Sequence, residues 1–299
     1  MRKVRVLVTG AAGMLGTALC EILRKRGYEV YATDINTEDE GIEFLDVRSY
    51  KQVDEAVNKY KPDIVMHLAA ETDVDRCEVE PDHAYLTNTI GTQNVALACQ
   101  KRDIVMVYIS TIGVFDGNKL EPYTEFDEPN PINVYGKSKL WGERIIQSLL
   151  RRYYIVRAGW MMGGGPRKDK KFVAKIIKLI LEGRKELKVV NDKFGSLTYT
   201  VDFSKCLVDL IETGYYGLYH CTNKGYASRY EIARKIVEYL GRSNVKIEPV
   251  SSAHFPLPAP RARSEACYNY KLELLGMNNM RSWEEALQDY IGNFWKAVI

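Results

Sequence analysis

Apolar residues along this chain follow two rhythms in turn: short unbroken runs, and stripes that recur every three or four positions. Residues 4–9 form the first run and predict a buried strand. They pass through Gly10-Ala11-Ala12-Gly13-Met14-Leu15-Gly16 into an apolar-periodic helix that ends at Gly27. A second run, residues 28–33, delivers Asp34 at its end, and residues 43–45 predict a short third strand. Ser49 and Gln52 have the spacing of a capping box for the next helix. Pro62 precedes a strand over 63–68, a long helical pattern covers 82–100, and a strand over 104–109 runs into Ser110-Thr111. Asn133 opens another helical stripe, after which residues 154–157 read as a strand. Strands separated by helices of this length predict an α/β chain with a doubly wound parallel sheet and ligands at the strand C-termini.

Beyond residue 158 the pattern changes. Gly163-Gly164-Gly165-Pro166 predicts a flexible break, and residues 172–181 an amphipathic helix. Residues 194–200 and 217–220 read as extended. Ser228 and Glu231 cap a helix over 230–240, and residues 255–260 form a stiff proline loop before Arg261-Ala262-Arg263-Ser264. The expected division is a dinucleotide-binding part over 1–158, with roughly 187–221 returning to it, and a mainly substrate-binding part over 159–299.

Composition adds limits. Apolar residues are 46% and charged residues 27% of 299, an ordinary globular balance. The net charge of +3 argues for neither nucleic acid nor an anionic membrane. No apolar stretch approaches the ~20 residues of a membrane span. The six cysteines show no C-x-x-C pair and no metal-ligand spacing, as in a reducing, cytoplasmic setting. The basic run Arg167-Lys168-Asp169-Lys170-Lys171 is expected to be a solvated loop.

The candidate chemistry sits at the strand ends. A glycine turn between first strand and first helix lets a dinucleotide pyrophosphate meet backbone N–H groups and a helix N-terminus, although the glycines follow G-x-x-G-x-x-G. Asp34, 24 residues after Gly10, can accept from both ribose hydroxyls and repels a 2′-phosphate, which points to NAD over NADP. Tyr135 and Lys139, four apart, share one helix face. A nearby ammonium favours the phenolate, so the pair can hand a proton to a carbonyl oxygen as hydride reaches its carbon. Thr111 lies just past a strand end. His67 is expected to be a hydrogen-bonded core histidine.

Together, Thr9-Gly10-Ala11-Ala12-Gly13-Met14-Leu15-Gly16, Asp34, Asp46-Val47-Arg48, His67-Leu68-Ala69-Ala70, Asn88 with Gly91-Thr92, Ser110-Thr111 and Tyr135-x-x-x-Lys139 resemble the extended short-chain dehydrogenase/reductase family. Residues 72–78, 114–117, 131–139 and 194–200 resemble its dTDP-4-dehydrorhamnose reductase branch. The resemblance implies a Rossmann-type sheet with a smaller C-terminal α+β substrate domain. It implies NADH or NADPH as cofactor and a nucleotide-linked 4-keto-6-deoxy sugar as substrate, and it admits a homodimer. Carried over residue by residue, Tyr135, Lys139, Thr111 and Asn88 are catalytic. Gly10, Gly13, Met14, Leu15, Gly16, Asp34, Asp46, Val47, Leu68, Ala69 and Ala70 join Tyr135 and Lys139 around the cofactor. Thr72, Val74, Thr111, Trp160 and Arg263 face the substrate.

Three departures bear on the substrate side. Ile112-Gly113 stand where the reductases carry Asp-Tyr, which predicts a smaller, more apolar wall beside the sugar; the alternative is that neighbours such as Glu71 or Tyr199 fill the vacated space. Glu71 replaces the usual Tyr, and Pro260-Arg261 inverts an Arg-Pro pair. Two other readings stay open. One is a sugar-nucleotide epimerase or dehydratase, against which Ile112-Gly113 argues. The other is a cofactor-binding regulatory subunit resembling that of methionine adenosyltransferase, against which Thr111, Tyr135 and Lys139 weigh.

Overall fold

The computed structural model describes residues 2–296. Its first six strands follow the predicted alternation: β1 (Arg5–Thr9), β2 (Glu29–Asp34), β3 (Ile42–Phe44), β4 (Ile64–His67), β5 (Val105–Thr111) and β6 (Tyr153–Ala158). With Gly217–His220 they form one seven-stranded sheet in the order Gly217–His220, β6, β5, β4, β1, β2, β3. Every neighbouring pair is parallel. The unbroken apolar runs are explained by burial on both faces. Val6, Val8, Met66, Val107 and Val156 point to one side, where they meet Leu19 and Leu23 of helix Met14–Lys25 and Phe203 and Leu207 of helix Thr200–Ile211. Leu7, Val65, Met106, Tyr108 and Ile155 point to the other, against Val53, Val57, Val95 and Ile146. The chain is doubly wound, as its alternation predicts.

A smaller layer has its own core of Ile176, Ile177, Ile232, Ile236, Leu287 and Tyr290. Its strands are short: Glu186–Val190 pairs with Lys246–Val250, and Trp160–Met162 with Leu197–Tyr199. The return to the large sheet therefore begins at Thr200, not near 187, because Glu186–Val190 finds its partner inside the smaller layer. No helix among the described residues is long and apolar enough to cross a membrane.

Three local expectations are corrected. The pattern over 82–100 is not one helix but Pro81–Tyr85, a π turn Leu86–Ile90 and Gly91–Gln100. The extra residue in the turn leaves Asn88 wholly buried, with its carbonyl accepting from Thr92 Oγ1 at 2.6 Å. The box at Ser49 is half made: Ser49 accepts from the Gln52 N–H, but Gln52 Oε1 accepts from the Asp46 N–H at 3.0 Å. Gly163-Gly164-Gly165 is a tight turn rather than a flexible break. A Cβ at Gly163 would lie 1.9 Å from Thr200 Oγ1, and Gly164 and Gly165 sit at φ +70 and +65, which side chains disfavour.

Candidate active site

The strand order reverses between β1 and β4, and a crevice opens there at the C-terminal ends. Gly10 follows β1; a Cβ on it would lie 2.6 Å from Ala69 N, and one on Gly16 would lie 2.4 Å from Gly10 O. These two glycines let the turn, the first helix and Leu68-Ala69-Ala70 close together. Gly13 is different, with only Gly10 O near at 3.4 Å. It caps helix Met14–Lys25 without a side-chain hydrogen bond, so the first helical N–H groups remain to meet an anion. That cradle fits a pyrophosphate.

Asp34 braces the same turn. Its Oδ2 accepts from the Ala12 N–H at 2.9 Å and its Oδ1 from the Asn36 N–H at 2.9 Å. Asp46 is clasped by the Arg48 guanidinium, at 2.6 to 3.0 Å, which holds its carboxyl below the usual range. Asn94 Nδ2 donates to the carbonyls of Val47 and Arg48 and fixes this loop.

Helix Val134–Leu149 carries Tyr135 and Lys139. Its start is capped by Asn133, whose Oδ1 accepts from the Gly136 N–H at 2.8 Å while Nδ2 donates to Pro260 O. A Cβ at Gly136 would lie 2.2 Å from Gly113 O, so only glycine lets the helix rest on the segment that follows β5. Asn88 ties the helix to β4's exit: its Nδ2 donates to Ser138 Oγ and Glu71 O, and its Oδ1 accepts from the Glu71 N–H. Thr111 Oγ1 accepts from the Gly113 N–H at 3.0 Å, which leaves its own hydrogen free to donate.

Burial governs the proton chemistry. It pushes the Tyr135 phenol above its usual range, opposed by the Thr111 hydroxyl. It pushes the Lys139 ammonium down to about 7, opposed by Glu143. The expected pull of Lys139 on the phenol is not the dominant effect, because desolvation acts more strongly on both groups. A phenol in this state keeps its proton at neutral pH, as an acid should. His67 is wholly buried, with Nδ1 2.8 Å from Thr9 Oγ1 and Nε2 3.1 Å from Thr92 Oγ1, and burial holds it near a pKa of about 3. It is a neutral core histidine.

One turn beyond Lys139, Glu143 is 1% exposed and receives Arg157 on both oxygens, at 2.9 and 2.7 Å, and Ser110 Oγ at 2.5 Å. Residues 135, 139 and 143 thus form one stripe at helical spacing, a signal already present in the sequence.

The glycine turn, Asp34, Asp46, Thr111, Tyr135 and Lys139 line one cavity of about 540 Å³. All the residues expected around the cofactor line it, as do Thr72, Val74, Thr111 and Trp160. Asn88 lies behind it. Arg263 is not brought there: its backbone packs on Gly117 and accepts from the Phe194 N–H, and its side chain is exposed. Arg261 lines the cavity instead, held by Asp75 at 2.8 Å. Arg229 and Glu265 escaped the sequence reading, and Lys171 and Glu71 make contacts it did not foresee. Lys171 donates to Thr72 O and Oγ1; Glu71 pairs with Arg76 and His83; Arg229 stacks on Trp160; and Glu265 accepts from the Trp160 indole N–H. The basic run is not merely solvated either, since Lys168 donates to Ala12 O and pairs with Asp39.

Ile112 corrects the expected apolar wall. It is 1% exposed and packs with Val114, Phe115, Tyr123, Leu140 and Cys267, away from the cavity. Tyr199 is buried in the smaller layer's core, so the side chain beside Gly113 is Glu265.

Residues 4–295 match the family model described as RmlD substrate binding domain. The spore coat polysaccharide biosynthesis protein SpsK of Bacillus subtilis is 37% identical over 287 residues, covering 96% of both chains. A dTDP-4-dehydrorhamnose reductase of Mycolicibacterium smegmatis is 34% identical, covering 96% of this chain and 85% of that one. The crystal structure of dTDP-4-dehydrorhamnose reductase from Bacillus anthracis in complex with NADP is 40% identical and superposes with a TM-score of 0.90, covering 97% of this chain and 99% of that one.

Proposed function

The chain belongs to the RmlD substrate-binding-domain family, and from that premise we propose that it is an NAD(P)-dependent reductase of the C4 keto group of a dTDP-linked 4-keto-6-deoxy sugar. The observation that carries this reading is the meeting of Thr111, Tyr135 and Lys139 with the glycine turn on one cavity. The product would serve as a precursor for rhamnose-containing or related polysaccharide. Six free, buried cysteines fit a cytoplasmic setting.

Gly10, Gly13, Gly16 and the first helical N–H groups hold the cofactor's pyrophosphate, Asp34 its adenine ribose, and the Asp46-Val47 loop its adenine. A bound reduced nicotinamide supplies the hydride. Thr111, its oxygen engaged by the Gly113 N–H, donates its hydroxyl hydrogen to the C4 oxygen and orients the carbonyl. As the C4–H bond forms, the carbonyl π pair moves onto oxygen, and Tyr135 gives that oxygen its proton. The product is a secondary alcohol, and water reprotonates the phenolate. Lys139 takes the nicotinamide ribose, with Glu143 and Arg157 fixing the helix turn beneath it. Asn88 acts by position, joining that helix to the loop after β4. Thr72, Val74 and Trp160 form the sugar-nucleotide side.

The test is a panel of dTDP-, UDP- and GDP-linked 4-keto-6-deoxy sugars, following loss of reduced nicotinamide. Consumption with the dTDP-linked sugars is expected. Binding of cofactor without consumption in any mixture would overturn the reading in favour of a regulatory protein.

A further inference from the structure

Glu265 ends the short strand Ser264–Glu265, which pairs with Phe194–Gly195 and reaches the cavity from the smaller layer. Its two oxygens have different surroundings. Oε2 accepts the Trp160 indole N–H. Oε1 takes no hydrogen bond among the described residues and lies 3.4 Å from the point where a Cβ on Gly113 would begin. Thr111 Oγ1 lies 3.3 Å from that same point. Gly113 is itself buried, but Thr111 and Glu265 both line the cavity, so a carboxylate oxygen and the carbonyl-orienting hydroxyl stand close together on its wall.

The carboxylate is held there. Trp160 is seated against Gly195, where a Cβ would fall 2.5 Å from the indole Cε2, so the ring has no slack on that side. The Arg229 guanidinium lies 4.2 Å from the indole centroid and 4.9 Å from the Phe172 ring, close enough to feel the Glu265 charge. One indole thus carries a cation on its face and an anion at its N–H edge.

An ionised carboxylate only accepts hydrogen bonds, so the ligand group that satisfies Oε1 is a donor. With Thr111 on the C4 oxygen, the first donor beyond the keto carbon is the hydroxyl on the adjacent ring carbon. We propose that Glu265 is the specificity-determining residue of the sugar site: its Oε1 accepts a hydrogen bond from the hydroxyl adjacent to the keto carbon and selects hydroxylated sugars over deoxygenated ones. This rests on the reductase reading and deepens it. It also reverses the expectation of an apolar wall, since the wall beside Gly113 is charged. A substrate without that hydroxyl leaves the carboxylate unpaired, and sites of this kind reject such analogues more strongly than apolar pockets reject a wrong shape.

The experiment compares a dTDP-linked 4-keto-6-deoxyhexose with its 3-deoxy counterpart on wild type, Glu265→Gln and Glu265→Val, with cofactor affinity measured alongside. Wild type is expected to favour the hydroxylated sugar by about 10–100-fold in kcat/KM, the range of a hydrogen bond to a charged group. Both variants should lose most of that preference through a higher KM for the hydroxylated sugar, with cofactor Kd unchanged. Glu265→Gln keeps an oxygen for the Trp160 N–H and turns an N–H donor toward the sugar, so it separates the two roles even if Glu265→Val fails to fold. A Gln variant that discriminates like wild type would mean the residue only seats Trp160, and would overturn the proposal. Turnover of both sugars by wild type without discrimination overturns it too, while the reductase reading stands. No turnover of either sugar overturns both.

Discussion

Lys139 lies over the ring of Tyr108, with Nζ 4.1 Å from the ring centroid, so its charge rests on a π face inside the fold. That contact and Glu143 do not offset the loss of water, and the ammonium falls from the ordinary 10.5 to about 7. The unfolded chain then holds more protons than the folded one between about pH 7 and pH 10, so this residue makes stability rise with pH across that window. Lys139→Met removes the effect. The variant should melt above wild type at pH 6, with the gap narrowing by pH 9. Parallel melting curves at both pH values would show that Lys139 is not charged at a penalty.

Tyr135→Phe should abolish most turnover, by ~10²–10⁴-fold, the usual effect of losing a positioned general acid. The ring's place is set by the helix that Asn133 caps and Gly136 lets settle, so cofactor affinity should hold. Stopped-flow turnover and a fluorescence titration of cofactor together check this. A near-normal rate would sink the assignment.

Asp34 stands where a 2′-phosphate would meet a like charge, and NADH should be accepted at least as well as NADPH. Asp34→Asn should shift the Kd ratio toward NADPH by about tenfold, since one like-charge contact is worth roughly 1.4 kcal/mol at short range. Because Asp34 also braces the glycine turn through Ala12 and Asn36, some affinity for both should be lost. A wild-type Kd for NADPH tenfold below that for NADH would refute the preference.

Ile112→Asp, which the family pattern invites as a gain of function, should instead damage the fold. Ile112 is packed among Val114, Phe115 and Leu140, and an Asp there is buried without a partner. Its folded pKa would be raised, so the penalty should grow as pH climbs above about 4, the unfolded value. Chemical denaturation at pH 5 and pH 8 should show a loss of ~3 kcal/mol or more, larger at pH 8. An unchanged midpoint would place residue 112 in the cavity after all.

What the sequence by itself determined was local. Strand, glycine turn and first helix are contiguous, Asp34 closes the next strand, and Tyr135 and Lys139 share a face because helices repeat every 3.6 residues. Alternation of buried strand and amphipathic helix was enough for the doubly wound sheet, and shared motifs were enough for the family resemblance. The tertiary structure decided what depends on how the smaller layer meets the large sheet. Glu265, Arg229, Lys171 and Arg261 come from distant segments, and no periodicity links them to Thr111 or Gly10. It also decided which way residues point where the chain is irregular. After β5 a 3₁₀ turn sends Ile112 into the core, and a π turn sends Asn88 inward to reach Ser138 and Glu71. In such turns, the direction of a side chain is set by packing partners far along the chain rather than by its neighbours in sequence.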